Sequence, residues 1–70
     1  MTLKQNIGSQ IKTLRIAAGL NQSGLANRLG VSKQYISGVE AGKETLSLEQ
    51  VEKFAQALGV TAVVSLQKVP

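Results

Sequence analysis

Apolar positions recur at helical spacing along most of the chain and switch to alternation near its end. Leu3, Ile7, Ile11, Leu14 and Ala18 share one face. Thr2 before them and Gln5 three residues on make a capping-box pattern, so a first helix starts after Thr2 and ends at Gly19. Asn21 is placed to cap a second helix, Gln22 to Leu29, and Ser32 a third that reaches about Ala41 before Gly42 stops it. After a loop from Lys43 to Leu46, Ser47 and Gln50 repeat the capping-box pattern, and Leu48, Val51, Phe54, Ala55 and Leu58 line a fourth helix closed by Gly59. In the last ten residues, Ala62, Val64 and Leu66 alternate with Thr61, Val63, Ser65 and Gln67, and their β-branched content favours an extended strand. The pattern divides the chain into a helical domain, residues 1–60, and a terminal strand, residues 61–70.

The connection between the second and third helices is unusually short. Gly30 is suited to the left-handed conformation that ends a helix, and Ser32 caps the next after the single residue Val31. Two helices so joined must cross steeply, with Leu25, Leu29, Val31, Ile36 and Val39 supplying the contacts and Ala26 allowing close approach. Lys33, Gln34 and Ser37 are left facing outward. This is the pattern of a helix-turn-helix; the competing explanation is a plain helical hairpin without a ligand.

A lone strand beside helices has unpaired backbone groups and needs a partner. The economical partner is the same strand of a second copy, with Ala62, Val63, Val64, Ser65 and Leu66 pairing about a two-fold axis in a homodimer. A short fifth helix or a frayed tail is the alternative.

Composition removes several classes. Seventy residues allow one domain with a small core. Neither cysteine nor histidine is present, which removes a disulfide framework and makes a zinc site improbable; no cofactor is expected. No apolar stretch approaches the roughly 20 residues of a membrane span, and MTLKQNIGSQ lacks the apolar core of a signal peptide, so a cytoplasmic protein is expected. Ser, Lys and Glu occur in no recognisable nucleophile or acid/base motif, so no catalytic residues are assigned and an enzyme is not expected. The charge is uneven. Lys4, Lys12, Arg15, Arg28 and Lys33 all precede Glu40, the first acidic residue, and the rest of the chain is nearly balanced within a net charge of +4. Basic charge concentrated on the helix-turn-helix half suits nucleic acid, although solvated surface lysines would look the same.

Ile11 to Val60, with RIAAGLNQSGLANRLGVSKQYISGVEAGK and SLEQVEKFAQALGV, resembles the Cro and phage-repressor (XRE) family. The resemblance implies a mainly α, compact four-helix, lambda-repressor-like domain whose third helix enters the major groove of double-stranded DNA. Gln22 matches the family's phosphate-binding glutamine, and Ser32, Lys33 and Gln34 match the start of its recognition helix. Arg15 and Glu40 match an ion pair tying the first helix to the end of the third. The tail ALGVTAVVSLQKV resembles HipB-type antitoxins, which implies an autorepressor paired with a HipA-like kinase toxin. A competing reading is an interaction module that mainly holds such a partner.

Residue chemistry suggests roles. Lys33 can donate to guanine O6 and N7 or to phosphate, and Gln34 can pair bidentately with adenine. Ser37, one turn beyond Lys33, is placed for a base or a phosphate, or is merely exposed. Tyr35 either packs half-buried or directs its hydroxyl to phosphate. Gln22, Ser32, Lys43, Arg28 and Lys12 complete the expected phosphate contacts. Gly38 stands where the family often carries a long polar side chain, at a cost of about 1 kcal/mol relative to alanine in a helix.

Overall fold

The computed structural model describes residues 2–63 and residue 66. Four helices follow in order: α1 (Leu3–Ala17), α2 (Gln22–Leu29), α3 (Lys33–Glu40) and α4 (Leu48–Leu58). Each start is set by a side-chain cap. Thr2 and Gln5, and again Ser47 and Gln50, exchange the two bonds of a capping box, while Asn21 accepts from the Gly24 N–H and Ser32 from the Tyr35 N–H. These bonds satisfy amides that the first helical turn leaves without partners.

The α2–α3 turn has the predicted chemistry. Gly30 adopts φ 68°, and the Val31 N–H donates back to the Ala26 carbonyl at 3.0 Å, so two residues after α2 the chain is ready to begin α3.

Leu25, Ile36 and Val39 are the most fully buried large side chains, surrounded by Ile11, Ala26, Phe54 and Leu58. Every helix contributes to this cluster, which fixes α2 and α3 against each other and against the scaffold of α1 and α4. Leu3 and Leu48, expected on apolar faces, are 75% and 70% exposed. Each is the first residue of its helix, where the side chain leans back toward the N-terminus and past the neighbouring helices. Ala18 is also exposed, because α1 has already ended at Ala17.

Gly8 was not singled out by the apolar pattern, yet it governs the α1–α3 crossing. A methyl group there would lie 2.3 Å from the Val39 carbonyl oxygen and 3.0 Å from that of Glu40. Only a residue without Cβ lets α1 pass this close to the end of α3.

Among the described residues there is no strand. Thr61, Ala62, Val63 and Leu66 carry no regular structure, and Val64 and Ser65 of the expected dimer strand lie outside the described residues. An extended segment acquires a ladder only against a second strand, and a single chain offers none here.

Candidate nucleic-acid interface

The first turn of α3 presents Lys33 and Gln34 to solvent, with Ser37 one turn further on, and all three are exposed. The residues that alternate with them explain why. Ile36 and Val39 point into the core, and Tyr35 and Glu40 are half-buried at its edge, so the polar stripe has no other direction to take.

Neither α2 nor α3 has an acidic residue in its first turn. At the start of α3 this leaves the N-terminal amides and the positive end of the dipole in a setting that favours anions. Gln22 and Ser32 stand at the starts of the two helices. The Ser32 oxygen accepts from the Tyr35 N–H at 3.0 Å, which leaves its O–H as a donor. The Tyr35 ring packs beside Phe54 with centroids 6.3 Å apart, and its hydroxyl accepts from Gln50 Nε2 at 3.4 Å. Burial, with a smaller contribution from the charge of Glu44, pushes the Tyr35 phenol above its ordinary range.

Behind this edge sits the one buried charged residue among those described, Arg15. Its Nε and Nη2 donate to the two carboxylate oxygens of Glu40 at 2.6 and 3.0 Å, and its Nη1 donates to the Leu20 carbonyl at 2.8 Å. The hydrogen bond to Glu40 holds the guanidinium pKa above even its usual high value, against the opposing effect of burial. Gln22 Nε2 reaches the same carboxylate at 3.3 Å. The pair thus joins α1, the start of α2 and the end of α3.

The remaining expected contacts separate. Lys12 is exposed on α1 and Lys43 in the loop after α3, where the Lys43 N–H donates to the Gly38 carbonyl at 2.9 Å. Arg28 has a partner within the fold: its Nη1 donates to the Ala57 carbonyl at 3.0 Å. This bond satisfies an orphan carbonyl at the end of α4, a helix with no basic residue in its last turn. Charge alone could not distinguish such a cap from a phosphate contact.

Two residues with no expected role at this edge also border it. Gln50 holds the Tyr35 hydroxyl. Glu44 lies over Gly38, where a methyl group would meet its Cγ and Oε1 at 3.3 Å. The empty position at Gly38 was a visible signal that something approaches there. Among the described residues no acidic cluster could hold a metal ion, and no helix is long and apolar enough to cross a membrane.

Two short helices joined by a glycine turn, with an exposed polar edge on the second and a shared apolar core behind both, define a helix-turn-helix module. The chain matches the helix-turn-helix family over residues 11–64 and belongs to that family. It is 36% identical over 63 residues to the uncharacterized HTH-type transcriptional regulator y4dJ of Sinorhizobium fredii, covering 90% of this chain and 82% of that protein. It is 42% identical over 52 residues to the cryptic phage CTXphi transcriptional repressor RstR of Vibrio cholerae, covering 74% of this chain and 47% of the repressor. The restriction-modification controller protein C.Esp1396I, solved as a tetramer in complex with its natural 35 base-pair operator, is similar with a TM-score of 0.79 at 28% identity, covering 87% of this chain and 80% of that one.

Proposed function

We propose that the chain is a sequence-specific DNA-binding transcriptional regulator that acts as a homodimeric repressor on inverted-repeat operators. The observation that carries this reading is the exposed edge of α3, where Lys33, Gln34 and Ser37 stand clear of a core that holds Ile36 fully buried directly behind them. In this reading α3 lies in the major groove, Lys33 donates to guanine, Gln34 pairs with adenine and Ser37 bonds a base or phosphate. Gln22, Ser32, Tyr35, Lys12 and Lys43 fix the register through phosphates. Arg28 is assigned to the fold.

Support for operator binding as an assembly comes from relatives named as regulators, one of them solved as a tetramer on its operator. The HipB-type reading, with a HipA-like kinase as partner, rests on the tail, most of which beyond Val63 lies outside the described residues.

Selection of the purified protein on a random duplex library tests the proposal, with affinity of the enriched duplexes followed across salt. An inverted repeat with half-sites about one helical turn apart is expected. Neutralising about six phosphates per dimer gives a slope of log affinity against log salt of about −5. Binding that depends on salt alone, with no enriched sequence, would contradict it.

A further inference from the structure

We propose that Glu44, from the loop after α3, is a specificity-determining residue that occupies the place vacated at Gly38 and accepts a hydrogen bond from a cytosine amino group. This rests on the reading that α3 enters the major groove. Gln34 and Gly38 are four residues apart and therefore share one face of α3. That face ends in a glycine with no side chain of its own, and the Glu44 side chain fills the gap, its Cγ and Oε1 both 3.3 Å from where a Cβ would be. The loop is anchored there by the bond from the Lys43 N–H to the Gly38 carbonyl at 2.9 Å. Glu44 is exposed, and among the described residues its carboxylate forms no salt bridge. The same carboxylate is the smaller of the two causes, after burial, that raise the pKa of the neighbouring Tyr35 hydroxyl.

An ionised carboxylate only accepts hydrogen bonds. In the major groove it is repelled by guanine O6 and N7 and by thymine O4, and adenine offers its N6 donor beside the N7 acceptor. Cytosine N4 is the donor that leaves the carboxylate facing no acceptor of the same base. The negative charge also disfavours phosphates brought close by a wrong sequence, so Glu44 lowers affinity for unrelated DNA while selecting one base.

The test is selection on a random duplex library by the unaltered protein, by Glu44→Gln, and by Gly38→Ala, whose methyl group crowds Glu44 Cγ and Oε1 at 3.3 Å. The unaltered protein is expected to enrich cytosine at one position of each half-site, next to the position that depends on Gln34. Glu44→Gln should lower that preference about tenfold, within the range of a good base contact, leave the other positions unchanged and bind unrelated duplex more tightly. Gly38→Ala should loosen the same position. A Glu44→Gln protein with an unchanged base profile, or one weakened evenly at every position, would overturn this role alone. No enriched sequence with the unaltered protein would overturn the operator reading and this role with it.

Discussion

Gln22 donates from Nε2 to Glu40 Oε1 at 3.3 Å, the same oxygen that accepts from Arg15 Nη2 at 3.0 Å. A primary amide has two N–H groups, so the second remains for a phosphate while the first fixes the side chain. Removing the charge from Glu40 leaves a buried guanidinium without its partner, and breaking such a pair costs about 3–5 kcal/mol. Glu40→Gln is therefore expected to lose much of the roughly 4–10 kcal/mol that a domain of this size has in total. Urea denaturation measures it. A loss below about 1 kcal/mol would mean that the pair behaves like an exposed one.

Gly8→Ala reverses the usual effect of alanine in a helix. In an open helix the exchange stabilises by about 1 kcal/mol, but here the methyl group meets backbone oxygen at 2.3 Å and α1 must shift. A destabilisation of about 1–3 kcal/mol is expected, or a fall in melting temperature of at least about 4 °C. A melting temperature that rises would show that the crossing is looser than described.

Arg28→Ala separates a helix cap from a phosphate contact. With the guanidinium on the Ala57 carbonyl in an exposed setting, the variant should lose about 0.5–1 kcal/mol of stability. Its salt slope for DNA should stay as in the unaltered protein. A slope shallower by about one would return Arg28 to the phosphate contacts.

Tyr35 is the chain's single tyrosine, so tyrosinate absorbance reports on it directly. Burial first and Glu44 second raise its pKa in the folded state above the ordinary 10.0. Between the unfolded and folded values the native protein retains a proton that the unfolded chain has lost, so stability falls as pH rises through this range and is unaffected below it. A folded-state titration midpoint above 10.0 is expected, together with an alkaline loss of stability that is smaller in Tyr35→Phe. A midpoint at or below the ordinary value would contradict the half-buried placement.

The helix boundaries were legible because they depend on local chemistry. Thr2, Asn21, Ser32 and Ser47 cap in place, and Gly30 turns the chain where expected. The outward stripe of Lys33, Gln34 and Ser37 was legible for the same reason, since Ile36 and Val39 leave it no alternative. What could not be read depends on elements distant in sequence. Gly8 matters only because the end of α3 crosses over it, and Arg28 finds its acceptor 29 residues away. Gly24 is the exception, since its constraint is local: a methyl group would lie 3.2 Å from the Asn21 oxygen that accepts its N–H. The terminal strand expected over residues 61–70 has no counterpart among the described residues, because alternation along one chain can suggest a strand but supplies no second strand to pair with it.

The most direct measurement compares the unaltered protein with a Lys33→Ala, Gln34→Ala double variant on the duplex that the unaltered protein selects and on a scrambled duplex, at matched salt. If these residues read bases, the double variant folds normally and loses about 2–6 kcal/mol on the selected duplex, from two contacts of about 1–3 each. On the scrambled duplex it should lose only the contribution of one lysine charge. Equal losses on both duplexes would contradict base reading by α3 and leave these residues as general phosphate contacts.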